Sequence, residues 1–141
     1  MLDILIRNGW IADGTGNPTY PANVAVEGDR IVDVGRLEGA EAAHTIDAAG
    51  KIVCPGFIDT HSHSDRTLLP NPEAQSTIRQ GITTEIVGNC GGSIAPLTDE
   101  TRPQTEAGLR RLGYVGPVDW STTAEFFEQV ERVKLSCNAG W

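Results

Sequence analysis

Two histidines and a cysteine are the residues of this sequence best suited to chemistry. His61 and His63 stand two apart in PGFIDTHSHSD, at the close of an apolar run, and Cys90 follows a second apolar run, ITTEIVGN. In an extended strand, residues i and i+2 point to the same side. Two imidazoles in this spacing can approach one divalent ion while Ser62 faces elsewhere. A bare His-x-His is more often a pair of surface histidines, and position is what changes its meaning here. Both motifs end β-type runs, at the carboxyl edge where parallel βα units assemble their sites. Gly91 and Gly92 allow a tight turn that leaves the Cys90 sulfur accessible. Two imidazoles and a thiolate suit a borderline-soft ion such as zinc better than magnesium or calcium. The expected metal ligands are therefore His61, His63 and Cys90, and the expected cofactor is zinc. Asp59 and Asp65 flank the histidines, and either can orient an imidazole by accepting its second N–H. Alternation places Asp59 on the His61 face. Cys54 and Cys137 are expected to pack, and His44 to be an ordinary surface histidine.

These residues need a scaffold. Residues 1–54 read as hairpins: DILIRNG, NVAVEGDRIVDVG and HTIDAAGKIVCPG are β-type runs broken by turn residues. Around Gly28-Asp29, alternation assigns Val24, Val26, Ile31 and Val34 to a core and Glu27, Asp29, Arg30 and Asp33 to water. From residue 55 to 141 the order becomes β–α–β. A helix is expected near Pro72–Gln80, with Asn71 as N-cap, Pro72 in the first position and Gly81 as the stop. The stretch from Gly91 to Trp120 lacks a sustained period and reads as a long irregular connection. A further helix opens at Thr122, where Glu125 three positions on completes a capping box, and Phe126, Phe127, Val130 and Val133 form its apolar stripe. Glu128 and Arg132 suit an i, i+4 pair, and LSCNAGW reads as the start of a third strand.

With 39% hydrophobic and 21% charged residues in 141, the chain can bury a core. Its formal charge of -8, from 11 Lys and Arg against 19 Asp and Glu, repels phosphate backbones and anionic surfaces. Neither a nucleic acid nor a membrane is an expected partner. No apolar run approaches the ~20 residues of a spanning helix, no secretory signal is visible, and three cysteines form no disulfide framework. The expected setting is the cytoplasm.

DAAGKIVCPGFIDTHSHSD resembles the signature that opens the barrel in the amidohydrolase superfamily. QGITTEIVGNCGGSIAP is similar to a segment of the N-acyl-D-amino-acid deacylases, in which a Cys in the Gly-Asn-Cys-Gly context is characteristic. The resemblance spans nearly the whole chain. It implies an α/β fold: the opening strands of an incomplete (β/α)8 barrel, residues 55–141, preceded by a segment of an N-terminal β-sandwich, residues 1–54. It also implies a zinc-dependent hydrolase that cleaves N-acyl-D-amino acids to a carboxylate and a D-amino acid. His61, His63 and Cys90 match family metal positions. Two further histidines and a proton-shuttling Asp belong to later strands of the family, so no catalytic residue is assigned here and that Asp is expected beyond residue 141. The remaining C-terminal part of a longer parent chain is then an expected partner, and these residues alone are expected to be inactive. Two rival readings stand beside this one. A hydantoinase- or dihydroorotase-like cyclic-amide hydrolase would use the same His-x-His with a carboxylated lysine, and a non-catalytic β-rich binding module would need no metal.

Overall fold

A computed structural model describes residues 1–141. The chain forms two compact units, Met1–Pro55 and Gly56–Trp141. No helix is long and apolar enough to cross a membrane.

The first unit is one sheet of five strands: β1 (Leu2–Ile11), β2 (Tyr20–Glu27), β3 (Arg30–Gly35), β4 (Ala42–Asp47) and β5 (Ile52–Val53). The order is β3-β2-β1-β4, and β5 lies beside the end of β1. β1 runs antiparallel to β2 and parallel to both β4 and β5. Its register against β2 shifts between Ile6 and Gly9, where Asn8 takes a φ of 62°. The Asn8 carboxamide donates to the Asp47 carboxylate at 3.0 Å. That bond, helped by the Ala49 N–H, holds the Asp47 carboxyl below its ordinary pKa. The β2–β3 hairpin turns at Gly28-Asp29, where alternation places it.

The expected core face of that hairpin is only half covered. Val24 is buried, but Ile31 is 69% and Val34 41% exposed. β3 is the edge strand of a single layer, and nothing in this unit lies over it. Ile6, Val26, Ile31 and Val34 line an open apolar groove of about 270 Å³. Cys54, expected to pack, is instead exposed where it borders this groove.

The second unit contains a parallel sheet, β6 (Phe57–Asp59), β7 (Ile82–Ile86) and β8 (Asn138–Gly140), in that order. The expected β–α–β order and third strand are present. The single helix expected near Pro72–Gln80 is not. Within that span only a single turn is helical, α2 (Gln75–Ile78), and another single turn, α1 (Asp65–Leu68), precedes it. Asn71 caps no helix: its carbonyl accepts the Ala74 N–H, and Ala74 adopts a left-handed conformation that interrupts any continuous helix from Pro72. Leu68 and Ala74 are buried against Cys137, which packs as expected.

The stretch from Gly91 to Trp120, expected to be irregular throughout, contains a helix, α3 (Arg102–Arg111). It buries one residue, Leu109, so it shows no apolar stripe. The Arg102 guanidinium pins it to the following loop, donating to the carbonyls of Val118 (2.7 Å) and Trp120 (2.8 Å) and to the Ser121 hydroxyl (2.9 Å). α4 (Thr123–Arg132) starts with the expected capping box. The Glu125 carboxylate accepts the N–H groups of Ser121 and Thr122, and these bonds lower its pKa. The Glu128–Arg132 pair is not formed, and the Arg132 guanidinium donates to Gln129. Phe126 and Val130 face a core with Leu69, Ile94, Leu97, Leu109 and Trp120. The buried Trp120 indole satisfies its N–H on the Ile94 carbonyl at 2.9 Å, the partner a buried indole requires.

Candidate metal centre

β6 ends at Asp59, so His61 and His63 lie in the loop beyond the strand rather than on one strand face. Their rings nevertheless meet edge to face, with centroids 5.5 Å apart. Cys90 sits in the matching loop after β7, and its sulfur lies 3.2 Å from His61 Nε2. One ligand atom from each of His61, His63 and Cys90 falls within 4.8 Å of the other two, and all three residues are exposed. A tetrahedral zinc with one N and one S ligand spans roughly 3.5 Å between them, from ordinary bond lengths. The donor types suit such an ion, and the 3.2 Å between His61 Nε2 and the Cys90 sulfur is close to that span.

The neighbouring carboxylates are placed differently from the sequence expectation. Asp59 Oδ1 accepts the main-chain N–H of His61 at 3.0 Å, not its ring. It shapes the turn and orients no imidazole. Asp65 is fully buried at the start of α1, and neither of its oxygens has a hydrogen-bond partner. Burial pushes its carboxyl pKa up; the Ile94 N–H, the Arg66 charge and the Gly88 N–H oppose this without closing a hydrogen bond. His44 lies exposed on β4.

Three residues that the sequence reading passed over hold the two loops. Asn89 Nδ2 donates to the Ser62 carbonyl (3.1 Å) and to the Ile86 carbonyl (2.9 Å). Arg66 donates through Nε and Nη2 to the Gly92 carbonyl at 3.2 and 2.8 Å. Glu85, buried on β7, accepts from the Ser62 hydroxyl at 3.0 Å, and the Thr77 hydroxyl and Cys137 thiol also point to it. Burial and then the Glu85 charge raise the Cys137 pKa. A charged residue inside the β-type run ITTEIV is a sequence signal of this kind, because a buried carboxylate demands donors. Asn89 and Arg66 give no such signal.

The Cys90 loop is strained. Cys90 has a φ of 56°, between Gly88 at 77° and Gly91 at 67°. A left-handed conformation costs a residue with a Cβ about 1–2 kcal/mol. Gly88 is needed for a second reason: a Cβ there would run into the Trp141 indole. Beyond Gly91 and Gly92 opens a cavity of about 520 Å³, bordered by Arg66 and by Thr105, Leu109 and Arg111 of α3.

The sequence signature described as "Amidohydrolase family" matches residues 44–125. N-acyl-D-glutamate deacylase of Alcaligenes xylosoxydans xylosoxydans is 46% identical over 102 residues, which cover 71% of this chain and 21% of that protein. A solved structure of D-aminoacylase, described by its binuclear metal centre, superposes with a TM-score of 0.83 and 39% identity over 99% of this chain and 29% of that one. N-acyl-D-glutamate deacylase from Bordetella bronchiseptica was solved with zinc and a phosphonate mimic of the tetrahedral intermediate. It superposes with a TM-score of 0.81 and 39% identity, over 98% of this chain and 28% of that one. This chain thus spans between 21% and 29% of the length of these relatives. With the signature covering more than half of its residues, the chain belongs to the amidohydrolase family, on its D-aminoacylase branch.

Proposed function

We propose that His61, His63 and Cys90 bind zinc and that this chain supplies the opening part of a hydrolase that cleaves N-acyl-D-amino acids to a carboxylate and a D-amino acid. The observation that carries the reading is the convergence of two imidazoles and a thiol on one point, with the Cys90 sulfur 3.2 Å from His61 Nε2. Zinc in such a site polarises an amide carbonyl and acidifies water near neutral pH. The chain's own residues gather the ligands, keep them open to solvent and leave a cavity beside them for a small-molecule substrate. The nearness of the thiol to the histidines favours this reading over a cyclic-amide hydrolase with a carboxylated lysine, and the convergent donor set disfavours a non-catalytic module.

In this reading β6, β7 and β8 are the first strands of a (β/α)8 barrel, and residues 55–141 belong to it. About 250 residues make such a barrel, so the remaining C-terminal part of a longer chain would complete the site, including the proton-shuttling carboxylate. The sheet of residues 1–54 would be one layer of a β-sandwich, a role that its uncovered apolar face supports. Three cysteines without a disulfide support a reducing, cytoplasmic setting.

Zinc titration of the 141-residue chain, read by competition with a chromogenic chelator, tests the metal reading. Weak binding is expected, because three ligands without their partners make an open site. His61→Ala, His63→Ala and Cys90→Ser should each weaken it further. Zinc binding that none of these substitutions changes, or none at all, sinks the reading.

A further inference from the structure

We infer that Asn89 and Arg66 are positioning residues that clamp the Cys90 loop onto the His61–His63 loop and so gather the ligand atoms before an ion is bound; this rests on the metal reading above. Cys90 occupies a left-handed conformation between two further left-handed residues, Gly88 and Gly91. Such a turn persists only where its surroundings over-determine it. The structure shows what does so. One residue upstream, the two donors of the Asn89 amide group are both used, one on Ser62 between the histidines and one on Ile86 at the end of β7. Two residues downstream, the Gly92 carbonyl receives a forked pair of bonds from Arg66, which lies three positions after His63. Between these ties the Ser62 N–H donates to the Ile86 carbonyl at 2.8 Å. Cys90 is therefore bracketed on both sides by bonds to residues 62–66.

Electrostatics makes the idea sharp. Arg66 is a fixed positive charge near a cation site; a Cβ on Gly92 would meet Arg66 Nη2 at 3.2 Å and His63 Nδ1 at 4.0 Å. Removing that charge, or adding a negative one at position 89, should by Coulomb attraction tighten cation binding. Loss of a clamp should loosen it. The two explanations predict opposite signs.

The test is cobalt(II) titration of the 141-residue chain, read by the thiolate-to-cobalt charge-transfer absorption that reports the Cys90 bond. The wild-type chain should show the band, and Cys90→Ser should abolish it. Asn89→Asp, which keeps the shape and loses both donors, and Arg66→Gln should each weaken binding about 10–100-fold and diminish the band, with far-UV circular dichroism unchanged. Arg66→Lys keeps the charge but replaces the two-nitrogen fork with a single ammonium nitrogen, and should fall between wild type and Arg66→Gln. Equal or tighter binding with a full band in Asn89→Asp or Arg66→Gln overturns the clamp while leaving the metal site standing. Where those two fail to fold, Arg66→Lys decides: affinity equal to wild type overturns the clamp. A wild-type chain without a cobalt band overturns the metal reading and this inference together.

Discussion

The sheet of residues 1–55 and the loops at the carboxyl edge of β6–β8 are held by different kinds of bond. In the first unit, main-chain ladders along the ten-residue β1 do the holding, and polar side chains act at the turns. In the second unit the strands span only three to five residues. Its loops are fixed by side chains reaching main-chain atoms: Asn89, Arg66, Arg102, Trp120 and Glu125. Ladders repeat, so they make a stable surface but place no single atom. Side-chain ties do not repeat, and they are what bring two imidazoles and a thiol together.

This contrast can be broken at three strengths. The largest effect belongs to the core beneath the ties. Phe126→Ala should cost about 3–5 kcal/mol, measured as a shift in the urea midpoint of tryptophan fluorescence. A cost under 1 kcal/mol would mean that α4 does not anchor the second unit. Next comes a single tie. Arg102→Met removes three charged-donor bonds to the 118–121 loop and should cost about 1.5–3 kcal/mol. Arg30→Ala, which removes an exposed 3.7 Å pair with Asp29 in the first unit, should stay within about 0.5 kcal/mol. Equal losses would erase the distinction.

The smallest effect is pH-dependent. Glu125 titrates below its ordinary 4.5 because it accepts peptide N–H groups of Ser121 and Thr122. A depressed carboxylate pKa adds stability above the unfolded value and loses it as pH falls through the folded value. Glu125→Gln should therefore melt below wild type at pH 7, and the two curves should merge once pH drops well under 4.5. A difference that persists at low pH would assign the effect to packing.

The same contrast explains what could be read from sequence. Alternation in VAVEGDRIVDV located the hairpin because ladder geometry has a period of two. Alternation does not say whether a second layer covers that face, so Ile31 and Val34, core positions by their period, lie exposed. The Thr122–Glu125 box was legible because capping is local. α3 was not, because RPQTEAGLRR buries only Leu109 and is fixed by Arg102 through bonds to residues 16 to 19 positions away. That His61, His63 and Cys90 lie close together is legible from residue type and strand-end position, although the geometry expected for the histidine pair belongs to a strand and they sit on a loop. Alternation points Asp59 at the His61 ring, but its carboxylate accepts the His61 main-chain N–H, a choice set by a turn after β6 that alternation does not describe.

The indole of Trp141, seated over Gly88 two residues ahead of Cys90 and donating to Ser93 at 3.1 Å, gives this loop a built-in optical gauge. Cobalt absorbs visible and near-ultraviolet light and would drain the emission of a tryptophan so near, whereas zinc, with its filled d shell, would leave the quantum yield almost untouched. Occupancy by the two ions could then be told apart in one cuvette, without a dye or a chelator.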